Sequence, residues 1–208
     1  MSSTRTAGLG LLAYGIGTPV AFMTIGSPGG EYSDGTVTDY IASGHWAAAF
    51  VVAYLGAFAA LGLVVFGHSI AWQVGRGAGL LRGLAVGGGV AGVVGWFLVG
   101  GIAVAFAEGG GALTAVPHPV VYLVSEMSNL VAVCASAFLA GAAAFVLASR
   151  ADLPRWLRIT SYIAGPCGML AAFFFPLFLF WLWAIGCGAW AVRAGARDAE
   201  PVAQVQPA

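Results

Sequence analysis

Apolar stretches of bilayer length, with a single charged residue among them, succeed one another from Ala7 to Val192, interrupted only by short polar, glycine-rich or proline-rich connections. A helix that is apolar on every side needs either a membrane or the core of a large protein, and 208 residues make no large core. Composition agrees: 60% of the residues are apolar and 8% charged, with a mean hydropathy of +0.93. A soluble domain carries about 25% charged residues. Cytosolic enzymes, nucleic-acid binders and disordered chains are therefore excluded. The chain reads as all-α, a polytopic transmembrane helical bundle.

A spanning helix takes about 20 mainly apolar residues, with a range of roughly 17–25. On that template the first span runs from about Ala7 to Gly26, and a polar loop with Glu31, Asp34 and Asp39 follows. The second runs from about His45 to Trp72, and a linker with Arg76 and Arg82 leads to a third at about Leu84–Ala107. Glycine and proline mark Glu108–Pro119 as a loop, and the fourth span is about Pro119–Leu147. The polar stretch Ser149–Arg158 then precedes an uncharged apolar run, Ile159–Val192, which is long enough for one kinked helix or two short ones.

Charge separates these alternatives. Basic residues stay on the cytoplasmic side of a membrane. The first four spans put Arg5, Arg76, Arg82, Arg150, Arg155 and Arg158 on one face, and Glu31, Asp34, Asp39 and Glu108 on the other. A single final crossing would strand Arg193 and Arg197 outside, whereas two crossings keep all eight arginines inside. The expectation is six spans with both termini cytoplasmic, the last two at about 159–174 and 176–192. Five spans with a long last helix is the alternative. The turn is expected at Phe173–Pro176, because proline breaks the helical hydrogen-bond ladder. Residues 1–197 then form one bundle, and 198–208 a disordered cytoplasmic tail. The first span is longer than a secretory h-region and lacks a small-residue cleavage site, so it is expected to stay uncleaved.

Helices in lipid associate by close packing, and small residues at four-residue spacing mark the contact faces. Gly83, Gly87, Ala91 and Gly95 form one such stripe on the third span, with Gly88 and Gly92 beside it. This predicts that the third helix is central and tightly packed. Gly165-Pro166 predicts a kink in the fifth span. Cys134, Cys167 and Cys187 lie in apolar stretches without ligand spacing and read as packing residues.

Chemistry inside a bilayer must come from the few polar residues that it tolerates. Glu126 is the only acidic residue within an expected span. A carboxylate at that depth costs several kcal/mol unless it is paired, protonated or wetted, so it should face the bundle interior. Tyr122, Glu126, Asn129 and Ser136 recur at helical spacing, with Ser125 alongside, so one stripe of the fourth helix is polar. These residues are candidates for a ligand or proton site. The preferred structural reading is a neutral or hydrogen-bonded glutamate that pins helix register, or one that snorkels to the outer interface. His45, His118 and Glu108 fall at the outer face and are weak metal candidates. Histidines capping helix ends explain them better, and no pair is placed for bis-histidine haem ligation. No phosphate loop, nucleophile elbow, zinc-protease or dinucleotide motif occurs, so no catalytic residue and no cofactor is assigned.

Asp39-Tyr40-Ile41-Ala42 running into Gly44-His45-Trp46, then Val52-Ala53-Tyr54-Leu55, resembles the loop and second helix of a widespread group of bacterial six-span membrane proteins of unknown function. Leu153-Pro154-Arg155-Trp156-Leu157-Arg158 and Leu182-Trp183-Ala184-Ile185-Gly186, with Gly188 and Arg193, are similar to the same group. The resemblance implies six spans and carries over no catalytic residue. The expected role is a non-enzymatic structural, accessory or ligand-sensing component of the bacterial inner membrane. Its partners would be the lipid bilayer and a membrane protein or second copy of itself, with no nucleic acid. A small-solute or proton-coupled transporter using Glu126 is the alternative, and a haem- or metal-binding membrane protein is third.

Overall fold

The computed structural model describes residues 3–24, 46–71, 78–109, 112, 115–149 and 153–197. The main elements are all helical: α1 (Ser3–Thr24), α2 (Trp46–Ala71), α3 (Ala78–Gly109), α4 (His118–Leu130), α5 (Ser136–Ala148), α6 (Arg155–Met169) and α7 (Phe175–Arg197). A π-turn, Val131–Ala135, joins α4 to α5 without a break, and a 3₁₀ turn, Ala171–Phe173, lies between α6 and α7. Five stretches are long and apolar enough to cross a membrane: Ser3–Thr24, Ala48–Ile70, Gly79–Phe106, Pro119–Ala148 and Phe175–Arg197. The α6 helix has 15 residues, about 22 Å at the helical rise. Glu31, Asp34, Asp39, His45, Arg76, Arg150 and the expected tail lie outside the described residues.

The helices begin earlier than hydropathy alone suggests. Arg5 lies in the first turns of α1, Arg82 in those of α3, and Arg155 and Arg158 open α6. Helical hydrogen bonding does not stop at the edge of an apolar stretch, and an arginine stem lies along apolar surface while its charge reaches outward. The last apolar run reverses at Leu170–Phe174, three residues before the expected position. Pro176 opens α7 instead of ending its predecessor, because a first-turn residue has no intrahelical N–H bond to lose. Pro166 is held inside α6. Phe174 makes the reversal at φ 58, a conformation that costs a residue with a Cβ about 1–3 kcal/mol. Its ring packs on Phe22 of α1, with centroids 6.0 Å apart.

The helices close into a ring. Moving round it, α1 packs on α2, α2 on α3, α3 on α4 and α5, α5 on α6, α6 on α7, and α7 on α1. Neighbours run antiparallel. Gly10 and Gly17 of α1 meet Gly62 and Ala59 of α2, whereas Gly89 and Gly100 of α3 meet Val64 and Ala53. Gly88 and Gly95 face Ala140 and Ala132, and Gly8 and Gly15 face Gly188 and Ala184. Direction therefore alternates, and the six described arginines, Arg5, Arg82, Arg155, Arg158, Arg193 and Arg197, share one end of the ring. The third helix is a member of the ring and not its axis. The centre is filled by side chains, among them Leu11, Tyr14, Leu63, Trp96, Val133 and Phe180.

Apolar side chains gain nothing by leaving lipid for another apolar surface, so association rests on dispersion and close backbone contact. The structure supplies three such crossings. A Cβ on Gly62 would run into the Gly10 carbonyl oxygen, and one on Gly8 would stand 2.7 Å from that of Gly188. One on Gly141 would stand 2.6 Å from the Gly165 carbonyl oxygen. Within the stripe expected on α3, Gly88, Gly92 and Gly95 face Ser136, Ala60 and Ala132 closely; Gly87 makes one ordinary contact with Leu139, and Gly83 faces open space. Gly62→Ala should therefore lower stability by about 1–3 kcal/mol through overpacking against backbone. Gly83→Ala should be neutral or stabilise by up to about 1 kcal/mol through helix propensity. Thermal unfolding in detergent reads both.

Candidate functional site

The α4–α5 stretch is turned inside out relative to a helix of a soluble protein. Val120, Leu123, Val124, Met127, Val131 and Phe138 are exposed, while Ser125, Ser128, Asn129 and Ser136 are buried with Val121, Ala132 and Val133. The apolar face suits lipid, and the polar and small face packs inward. Ser125 to Ser136 spans about 16 Å of helix, so the polar groups form a column from the middle of the bundle toward the start of α4.

Each end of this column has its own geometry. In the second half of α4, the Ser128 hydroxyl donates to the Ser125 carbonyl oxygen at 2.7 Å. At the middle, the Ser136 hydroxyl donates to the Tyr14 hydroxyl oxygen of α1 at 3.4 Å. A Cβ on Gly92 of α3 would stand 3.0 Å from the same Ser136 oxygen, so glycine there admits the serine. The π-turn lies between Asn129 and Ser136, where α3 presses closest on the backbone of Ala132 opposite Gly95. Such turns are rare and recur at functional positions in helices.

Around the Tyr14 hydroxyl, donors outnumber bonds. The Tyr14 ring is fully buried and meets Phe180 edge-on at 6.3 Å. The Trp181 indole of α7 lies beside its hydroxyl, yet the Trp181 N–H and the Thr18 hydroxyl, one turn along α1, form no hydrogen bond among the described residues. The Trp96 N–H of α3, whose ring packs on Gly56, is in the same state. Leaving a buried donor unsatisfied costs about 1–3 kcal/mol. No charged side chain is buried among the described residues.

Several residues singled out in the sequence lie away from this centre. Glu126 and Tyr122 are half-buried at one edge of the column, a part-turn from Asn129. Glu108 is exposed near the end of α3. His118 opens α4, but its side chain lies outside the described residues, as does His45. No group of three or more metal-ligating side chains comes together among the described residues. Ser128, Tyr14, Thr18 and Trp181 were not singled out. Ser128 follows Ser125 at helical spacing, and Gly10, Tyr14 and Thr18 recur every four residues, so both patterns were available in the sequence. Nothing in the sequence marks Trp181, which meets Tyr14 only through closure of the ring.

Comparison with protein-family models, with curated proteins and with solved structures gives no match.

A second polar contact fixes the α6–α7 hairpin. The Trp183 indole N–H donates to the buried Ser161 hydroxyl at 3.0 Å. Ser161→Ala should cost about 1 kcal/mol, because it leaves the indole donor unsatisfied. Trp183→Phe should lose that bond as well as packing, and the double variant should cost less than the two single changes added together. Unfolding midpoints of the four proteins in one detergent measure the coupling.

Proposed function

We propose that the chain is a six-crossing protein of the bacterial inner membrane with both termini cytoplasmic, as the resemblance of its loop and helix-end motifs to a bacterial six-span group also implies. Support comes from the reversal at Leu170–Phe174 and from α6 running antiparallel between α5 and α7. The gathering of the described arginines at one end of the ring points the same way, because basic residues remain cytoplasmic. A thiol reagent that cannot cross membranes tests the crossing count in intact cells, with the wild-type chain as background. Ala172→Cys, in the exposed turn between α6 and α7, should be labelled from outside, and Ser149→Cys only after permeabilisation. Labelling of both from the same side would restore the five-crossing alternative.

Within that topology we propose a non-enzymatic, ligand-sensing role, with the buried column as the site. One observation carries it: Ser125, Ser128, Asn129 and Ser136 are withdrawn from lipid into an apolar bundle, and Ser136 meets Tyr14, whose neighbour Trp181 has an indole N–H with no hydrogen bond among the described residues. Groups kept at such cost either tie the helices together or bind something. The Ser136–Tyr14 contact that joins this column to α1 is long, and the Trp181 and Thr18 groups form no hydrogen bond among the described residues, so binding explains these groups better than tying does. The ligand would be small, hydrogen-bonding and uncharged, since no charged side chain among the described residues is buried to neutralise an ion.

Replacing a functional buried amide by an apolar residue of similar size relieves a desolvation cost at the expense of activity. Asn129→Leu should therefore raise the unfolding temperature of the detergent-solubilised protein. It should also abolish the thermal shift that a responding member of a panel of small polyols, amides and sugars produces in the wild type. A lower unfolding temperature with the wild-type panel response retained would mean that Asn129 is structural.

A further inference from the structure

Between α6 and α7, on the outer surface of the ring, lies an apolar groove of about 310 Å³. Trp156, Thr160 and Ile163 form one wall; Leu179, Leu182 and Gly186 form the other. Trp156, Ile163, Leu179 and Leu182 are exposed large apolar residues, as a lipid-facing surface requires. Gly186 opens the groove, because a Cβ built on it meets nothing within 4 Å.

The groove does not end in apolar surface. Along α7, Leu179, Leu182, Gly186, Trp190, Arg193 and Arg197 recur every three or four residues and so share one face. Both arginines are exposed. Across the hairpin, Trp156 lines the same groove as Gly186 and Cys187. The only acidic side chains among the described residues, Glu108 and Glu126, belong to other helices: Glu108 lies near the far end of α3, and Glu126 lies on α4. An apolar channel that rises past two tryptophans to two arginines matches an acyl chain, an interfacial zone and a phosphate in order.

We infer that the α6–α7 groove is a binding site for one anionic phospholipid. An acyl chain lies along Ile163, Leu179 and Leu182, and the headgroup phosphate meets Arg193 and Arg197. Arginine suits the task because its planar fork binds phosphate oxygens in pairs. The inference rests on membrane insertion of α6 and α7 and is independent of any ligand in the interior column.

Titration of the detergent-solubilised full chain with phosphatidylglycerol and phosphatidylcholine of identical acyl chains tests it, with bound lipid counted by native mass spectrometry. The wild type should retain one phosphatidylglycerol in preference to phosphatidylcholine. The preference should fall about fivefold for each arginine removed, in Arg193→Gln and in the Arg193→Gln/Arg197→Gln pair. Gly186→Leu should fill the groove and reduce binding of both lipids, whereas Gly83→Leu, on an open face of α3, should not. Equal retention of the two lipids by the wild type would overturn the inference. So would an unchanged preference in the arginine pair, whose exposed positions leave folding intact even if Gly186→Leu does not fold.

Discussion

In a hydrocarbon solvent every backbone polar group must be satisfied within its own helix, and nothing apolar is gained by hiding one helix behind another. The ring therefore depends on how closely helix backbones can approach. Gly10 against Gly62 fixes α1 on α2, Gly8 against Gly188 closes α7 onto α1, and Gly141 against Gly165 and Gly168 seats α6 on α5. A side chain at any of these points would separate the axes and forfeit dispersion contacts along the whole interface. The abundance of glycine is the material from which this contact geometry is made, although only some glycines take part. Gly83, Gly101 and Gly186 meet nothing.

Close approach also decides where polar groups can go. With the helices tight at these crossings, the ring interior admits Tyr14, Ser136 and the inward face of α4, and glycine at position 92 leaves room for the serine. The outward faces are left to apolar residues. Polarity is thus sorted in three zones: arginines at one end, apolar side chains toward lipid, and hydroxyl, amide and indole groups in the interior. A site for an uncharged polar ligand and a groove for an anionic lipid occupy different zones and use different chemistry.

Much of the helical architecture was legible in the sequence, because lipid solvation imposes a length and a composition on each span. The Leu170–Phe174 reversal was legible as an event but not in its position. Proline appeared to break the run, whereas Pro176 starts a helix, and Phe174 absorbs the turn in a conformation that no residue pattern announces. Helix starts at Ser3, Ala78 and Arg155 were hidden because hydropathy reads the bilayer edge and not the end of hydrogen bonding. The inward set Ser125, Asn129 and Ser136 followed from helical spacing. Tyr14 and Trp181 did not stand out, since their meeting is a product of ring closure between α1 and α7. Glu126 drew attention by its charge, yet burial selects its uncharged neighbours.

Backbone contact between glycines holds the ring closed. The most direct measurement is a through-space magnetic resonance contact in bilayers, using protein labelled with ¹³C at the α-carbons of Gly10, Gly62, Gly8 and Gly188. Cross-peaks joining Gly10 to Gly62 and Gly8 to Gly188 are expected, as the first pair locks α1 on α2 and the second closes α7 on α1. Their absence in a folded, membrane-inserted sample would mean that the helices are held apart by side chains, and that this ring is not the arrangement in lipid.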